Sequence, residues 1–312
     1  MSTMISIIVC TYNRDYILKD CFDALLNQSV DRNMYEIIVV NNNSTDKTQE
    51  IAENYAKKNA NFRVVVESQQ GLSYARNAGY REAQYDWVFY VDDDAKASPY
   101  LIQEALKMIN EYDYVVVSGA IRPWYRGTIR PKWLSDKFGC STLYDESIGK
   151  LKTGRLQGGC SLFLKKVLER IGGFPLHLGM NGNKIAYGEE TYVQSKLEEF
   201  GYKLGYNQDM YIEHLVPEYK QTMWWHVKAK YAIARDTFQI WPNYDDLKWF
   251  TRFYRALKST IIISLRSIIR FCTDKNYYWQ NLFIDIIGNI ALWFGTRKGC
   301  KIFMENKSCK YP

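Results

Sequence analysis

The chain has 312 residues, 47% hydrophobic and 15% aromatic, which is ample for a sizeable core in one large domain or two and argues against an intrinsically disordered chain. Its formal charge of +7 sits late in the sequence: from Pro217 onward there are sixteen Lys/Arg against seven Asp/Glu, a basic third of the kind that meets nucleic acid, an anionic membrane or simply water. The seven cysteines (Cys10, Cys21, Cys140, Cys160, Cys272, Cys300, Cys309) are odd in number, scattered and never spaced C-x-x-C, which speaks against a disulfide framework or a zinc site.

Ile5 to Cys10 is an apolar strand, and after Thr11-Tyr12-Asn13-Arg14 the residues Ile17, Leu18, Cys21, Phe22, Leu25 and Leu26 recur at helical spacing. Ile37 to Val40 is a second strand. It is closed by Asn41 to Asp46, where Asp46 and Gln49 have the spacing of a helix N-cap and its box, and the helix runs to about Lys58. Phe62 to Val66 is a third strand, and Gly71-Leu72-Ser73 opens a helix carrying Arg76 and Asn77. The fourth strand, Trp87 to Val91, ends abruptly in Asp92-Asp93-Asp94. Strands and helices alternating at this spacing predict an α/β fold with a parallel sheet, helices on both faces and a site at the carboxyl ends of the strands. Three adjacent carboxylates at such a place repel one another unless a cation compensates, and an all-oxygen cluster suits Mg2+ or Mn2+ shared with phosphates. Thr11, Asn13 and Asn42 offer hydrogen bonds to a base, Tyr12 an aromatic surface, and Arg76 a bidentate partner for phosphate. Neither G-x-G-x-x-G nor a P-loop is present.

Ile7 to Arg14, Asn42-Asn43-Ser44-Thr45-Asp46, Gly71-Leu72-Ser73 with Ala75-Arg76-Asn77, and Asp92-Asp93-Asp94 together resemble glycosyltransferase family 2, over roughly residues 4 to 216. The resemblance implies a GT-A fold, Rossmann-like with a mostly parallel sheet, and inverting transfer from a nucleotide-sugar, commonly a UDP-sugar, with a metal ion. By position, Thr11, Tyr12, Asn13 and Asn42 would line the base, Arg76 would meet donor phosphate or base, Asp92 and Asp93 would sit at the donor, and Asp92 with Asp94 would form the D-x-D metal pair. The sequence carries Asn where the family often has Asp at Asn41 or Asn42.

Tyr114 to Val117 is a further strand, followed by an aperiodic stretch rich in Trp, Arg and Gly from Arg122 to Trp133. Such a loop either binds acceptor or is a surface excursion anchored by Trp124 and Trp133. The glycine-rich Gly158-Gly159-Cys160 leads a strand to Leu164. In the family such a strand approaches the donor sugar, which glycine permits by lacking a Cβ. After Gly179 to Gly188, a candidate lid, Glu189-Glu190-Thr191 opens an amphipathic helix through Val193, Leu197 and Phe200. The family's Glu-Asp or Glu-Glu motif implies that Glu190, or else Glu189, is the general base toward the acceptor hydroxyl. Two acids merely favouring a helix N-terminus would explain their position but not why they follow the Gly-rich stretch, so the base is the favoured reading. Met210 to His214 is a strand, and His214 with Leu215-Val216-Pro217 resembles the family segment in which this histidine completes the metal site.

From residue 217 the chain is expected to form a separate helical region, 217 to 312, after a catalytic domain of residues 1 to 216. At about 100° per residue, Phe250, Phe253, Tyr254, Leu257, Ile261, Leu265, Ile268 and Phe271 share one side, while Lys248, Arg252, Arg255, Arg266 and Arg270 share the other. This basic amphipathic helix either lies on an anionic membrane or packs inward through Phe250, Leu257 and Leu265. Trp279 to Phe294 is broken by Asp285 and Asn289 and reads as interfacial or packed. Met1 to Met4 lead straight into a strand without a secretory pattern, and no window of about 20 residues is free of charge, so the expectation is a cytoplasmic protein, peripheral on the inner membrane face at most. Two function classes remain: a transferase acting on a nucleotide-sugar donor and a glycan or lipid-linked acceptor, with no nucleic acid, or a non-catalytic nucleotide-sugar or membrane-binding module on the same fold.

Overall fold

The computed structural model describes residues 3–140, 148–151, 156–182, 184–240 and 249–308. Two compact units emerge. The first comprises Met1–Trp124, Gly139–Gly182 and Glu189–Leu215, and the second Tyr125–Phe138, Asn183–Gly188 and Val216–Pro312.

The first unit is built on one nine-stranded sheet. In chain order its elements are β1 (Ile5–Thr11), α1 (Leu18–Leu26), β2 (Tyr35–Asn41), α2 (Thr48–Ala56), β3 (Phe62–Val66), α3 (Leu72–Glu82), β4 (Trp87–Val91), β5 (Ala95–Ala97), α4 (Leu101–Glu111), β6 (Val116–Trp124), β7 (Gly149–Lys150), β8 (Cys160–Leu164), α5 (Lys165–Ile171), α6 (Glu189–Glu199) and β9 (Leu204–Leu215). The sheet order is β3-β2-β1-β4-β8-β6-β9-β5, with β7 on β9. β1 is almost wholly buried because both of its faces are covered, and its alternate side chains feed two separate cores. Ile5, Ile7 and Val9 join α1, α2 and α4 through Phe22, Ala52 and Met108. Ile8 joins α3, α5 and α6 through Ala75, Leu168 and Val193.

Strands β3, β2, β1 and β4 are parallel, as the alternation of elements predicts, but β8 runs antiparallel to both β4 and β6. A parallel neighbour needs a crossover, usually a helix, and β8 instead follows a long excursion that imposes no direction. The chain visits β1, β2 and β3 in one direction and then places β4 on the other side of β1. The order therefore reverses at β1/β4, where ligands of open α/β sheets bind.

Local readings shift in four places. The capping box at Asp46 and Gln49 does not form: Asp46 accepts from the Thr48 and Asp15 amides, while Gln49 bonds Asn41 and Glu53. β6 starts two residues later than expected and runs on to Trp124, absorbing the start of the presumed loop, and Lys96 Nζ sits 3.7 Å over the Trp124 ring. β9 begins at Leu204, six residues before the expected strand. β5 has no counterpart in the sequence reading, since three residues of Ala-Lys-Ala carry no periodic signal.

Between β6 and β9 the register shifts at Gly119/Ala120, and a Cβ on Gly119 would lie 2.1 Å from the Met210 carbonyl oxygen and 2.4 Å from Cys160 Sγ. Gly119→Ala should destabilise the first unit by about 1–3 kcal/mol, the scale of overpacking a core. A urea midpoint matching that of the unaltered protein would show that the bulge relaxes freely.

In the second unit α7 (Met223–Ile240) and α9 (Trp279–Ser308) lie close together, and α8 (Trp249–Thr273) packs against α9. Gly295 and Gly299 allow that approach: a Cβ on either would fall 2.2 or 2.3 Å from the carbonyl oxygens of Tyr231 and Arg235. Asp285, which interrupts the apolar stretch, accepts from Ser267 of α8 and from Tyr277. Trp133 packs edge-on against His226. Arg235 and Asp236 form a bidentate pair that also holds the Ile185 carbonyl and the Tyr187 amide, so the stretch before Gly188 is anchored rather than loose, with Asn183 outside the described residues. Among the described residues no helix is long and apolar enough to cross a membrane.

Candidate functional site

The acidic turn begins where β4 ends. Asp92 donates its amide to the Gly159 carbonyl at 3.2 Å, and a Cβ on Gly159 would lie 1.9 Å from the Asp92 carboxylate. Only glycine leaves room for the carboxylate there. Three residues on, the short strand β5 pairs antiparallel with β9 and sets Ala95 opposite His214, while the Leu215 amide donates to the Asp94 carbonyl at 2.9 Å. Backbone pairing thus carries His214 across more than a hundred residues to the acids.

His214 Nε2 lies 3.3 Å from Asp92 and 3.1 Å from Asp94, and its Nδ1 is 2.9 Å from the Leu215 carbonyl oxygen. A carbonyl only accepts, so Nδ1 carries the proton of that bond, an outer contact that orients Nε2 toward the acids. Two carboxylates and the His214 Nε2 converge within 4.8 Å, and a cation among them would relieve the repulsion between the acids. The donor set of two carboxylate oxygens and one imidazole nitrogen fits a divalent ion such as Mn2+ or Mg2+.

Asp93 points elsewhere. Burial pushes its carboxyl up to about 7, against the pull of Arg14, whose Nε is 3.5 Å away, and of the nearby Thr11 hydroxyl. Arg14 also reaches Asp94 at 4.0 Å. Arg14 is a residue with no expected role that the structure brings to the acids. Its only signal was a lone cation directly after the first strand, at the same sheet edge as the acids.

The expected base-binding residues divide. Asn42 spends its side chain bracing the turn before α3: its amide donates to the carbonyls of Glu67 and Gln69, and its oxygen accepts from the Gly71 amide at 2.8 Å. Asn13, at φ 53, accepts from the Thr45 amide and donates its own backbone N–H to Ser44, tying the loops after β1 and β2 together. These amides shape the cleft, and the physical reason is that buried loop backbone needs partners. Thr11 is buried at the end of β1 and Tyr12 follows it, half-buried.

Glu189 and Glu190 occupy the first turn of α6. Glu189 is 4% exposed and its Oε1 lies 2.8 Å from Arg76 Nη1; the Glu190 side chain is 30% exposed, with Oε2 at 3.9 Å from the same nitrogen. Burial and the adjacent Glu190 push Glu189 upward, and Arg76 opposes both. Burial works against the Arg76 charge, yet Glu189, Glu190 and Asp92 together hold it above its usual range. Arg76, expected at donor phosphate, is therefore paired with a glutamate. Of the two acids only Glu190 is accessible to an incoming hydroxyl.

The mixed sheet with its flanking helices and an Asp92–Asp94–His214 cluster at its switch point has the architecture of the GT-A glycosyltransferases, and comparison with solved structures agrees. Mannosyltransferase PcManGT from Pyrobaculum calidifontis, in complex with GDP-Man and Mn2+, aligns over 96% of this chain and 88% of that one with a TM-score of 0.65 at 17% identity. The family model for Glycosyl transferase family 2 matches residues 6–172, and the chain belongs to that family. Among its relatives, the uncharacterized glycosyltransferase EpsJ of Bacillus subtilis is 40% identical over 103 residues, 33% of this chain and 29% of that protein. The poly-beta-1,6-N-acetyl-D-glucosamine synthase of Staphylococcus epidermidis is 27% identical over 253 residues, 77% of this chain and 57% of the synthase. The chain thus spans less than two thirds of the length of these relatives.

Proposed function

We propose that this glycosyltransferase moves a sugar, with inversion, from a UDP-sugar to a hydroxyl of a glycan or lipid-linked acceptor, in building a surface polysaccharide at the cytoplasmic face of a membrane. The observation that carries the reading is the juxtaposition of Asp92, Asp94 and His214 within 4.8 Å at the sheet's switch point. A divalent ion held there would neutralise the departing diphosphate as a Lewis acid. Asp92, Asp94 and His214 would hold the ion, and Arg14 adds a positive charge beside Asp93 and Asp94. Thr11 and Tyr12 would line the base. Glu190, accessible at the start of α6, accepts the proton of the attacking hydroxyl, which is otherwise a weak nucleophile. The polysaccharide synthase among the relatives supports the product class. The rival donor is a GDP-sugar, as bound by PcManGT. Thermal shift with UDP- and GDP-sugars in the presence of Mn2+ separates them, because a ligand bound by the native state alone raises stability by mass action. Stabilisation by UDP-sugars is expected, and stabilisation by GDP-sugars only would move the donor assignment.

The membrane side of the reading rests on α8. Ile261, Leu265, Ile268 and Ile269 are 51%, 57%, 47% and 61% exposed, whereas Thr260, Ile263, Ser264 and Ser267 turn inward. The exposure of Leu265 favours the membrane over inward packing at that residue; Lys248 and the side chains of Phe250, Arg252, Phe253, Arg255 and Leu257 lie outside the described residues. An apolar face in water flanked by Lys258, Arg266 and Arg270 suits an anionic bilayer, where each cation adds roughly 1 kcal/mol. The protein should co-sediment with anionic liposomes at low salt, less so in high salt, and less again when Lys258, Arg266 and Arg270 become Gln. A protein that stays in the supernatant at low salt would remove the membrane from the proposal.

A further inference from the structure

We infer that Arg76 is a positioning residue for the acceptor side of the site: its ion pair with Glu189 fixes the first turn of α6 and so aims the Glu190 carboxylate, and it does not bind the donor phosphate. The inference rests on Glu190 as the base of the proposed reaction and assigns what holds it in place.

Four observations carry it. Arg76 is 4% exposed, and its guanidinium lies over the Phe174 ring at 5.2 Å and near the Tyr90 ring at 6.0 Å, so an apolar wall encloses it. The Tyr90 hydroxyl donates to the Arg76 carbonyl at 3.0 Å, which pins the helix turn that bears it. Its Nη1 is engaged at 2.8 Å by Glu189, itself 4% exposed, and stands 3.9 Å from Glu190. Two glycines clear space for the pair: a Cβ on Gly158 would lie 2.6 Å from Arg76 Nη2, and one on Gly179 would lie 3.1 Å from the Glu189 carboxyl group.

At 4% exposure, with Nη2 against Gly158 and the guanidinium face over Phe174, Arg76 offers a phosphate little open approach, and displacing Glu189 to make room would leave a buried carboxylate without its cation, which is far costlier than leaving the pair intact. Held instead, the planar guanidinium fixes Glu189 in one geometry. Glu190 follows it directly in the same helical turn, so the direction of its side chain is set by the pair and by the helix.

The test uses the full chain with three variants: R76K, R76Q and the double variant R76Q/E189Q, which removes both buried charges and so restores folding where R76Q alone leaves Glu189 unpaired. Affinity for UDP and for GDP is measured calorimetrically with Mn2+, turnover with the donor that supports transfer, and hydrogen exchange at the amides of Val193 to Lys196, which bond the carbonyls of the first turn of α6. The expected result is nucleotide affinity within about twofold of the unaltered protein in R76K and in the double variant, kcat lower by about tenfold or more, and exchange faster by about tenfold. A purely structural pair would regain full kcat in the folded double variant, and that result overturns the inference. So does a tenfold or greater loss of nucleotide affinity, which would make Arg76 a donor ligand, or exchange that stays at the unaltered rate. If the unaltered protein transfers no sugar, the proposed reaction fails separately, and the exchange rates still decide whether Arg76 orders the turn.

Discussion

Glu190→Gln is expected to lower sugar transfer by about 10²-fold or more while nucleotide affinity changes by no more than about twofold. The amide keeps the size and one acceptor oxygen of the carboxylate but cannot take the acceptor's proton. The variant should fold normally, because the Glu190 side chain is 30% exposed and its nearest cation, Arg76, is already satisfied by Glu189 at 2.8 Å. Glu189→Gln is the informative contrast. It leaves the Arg76 charge buried without its partner, so it should reduce stability as well as turnover. Undiminished transfer by a folded Glu190→Gln protein, with turnover lost only in Glu189→Gln at normal stability, would assign the base to Glu189.

The second large effect is expected at the acidic turn. Asp94→Asn should lower Mn2+-dependent turnover by about 10³-fold, the rate equivalent of the several kcal/mol a bound metal supplies. Asp94 is 5% exposed, 3.1 Å from His214 and 4.0 Å from Arg14, and the substitution preserves its shape while removing one of two anionic donors. Its backbone contact with Leu215 is untouched, so β5 and β9 should stay paired. Chelator should reproduce the loss in the unaltered protein and add little to the variant. Donor binding and turnover that ignore both the substitution and the chelator would leave the triad without a metal and shift leaving-group stabilisation to Arg14.

The acidic run and the first four strands are legible in the sequence because their patterns are local. Asp92 to Asp94 stand next to one another at a strand end, and strands β1 to β4 announce themselves as apolar runs of the right length between turn residues. Contacts with partners far away in the chain are not legible there. Asn13 and Asn42 read as ligands of a base because an exposed-looking amide suits that task, but their side chains are spent on loop backbone of other turns. Arg76 read as a phosphate partner for the same reason, although the glutamate it meets lies 113 residues on. The capping pattern at Asp46 has the right spacing and no box, since Gln49 finds Asn41 first.

By itself the sequence determined the alternating α/β order, the place of the acids at a strand end, the family and the basic, amphipathic nature of the last third. All of these rest on neighbours within a few residues, or on periodicity along one element, and backbone geometry converts such patterns directly into structure. The tertiary structure alone decided the antiparallel direction of β8, the pairing of β5 with β9 that brings His214 to Asp92 and Asp94, the commitment of Arg76 to Glu189, and the outward turn of the apolar face of α8. Each of these depends on which segments of distant sequence pack together, and on which buried charge finds which partner once water is excluded.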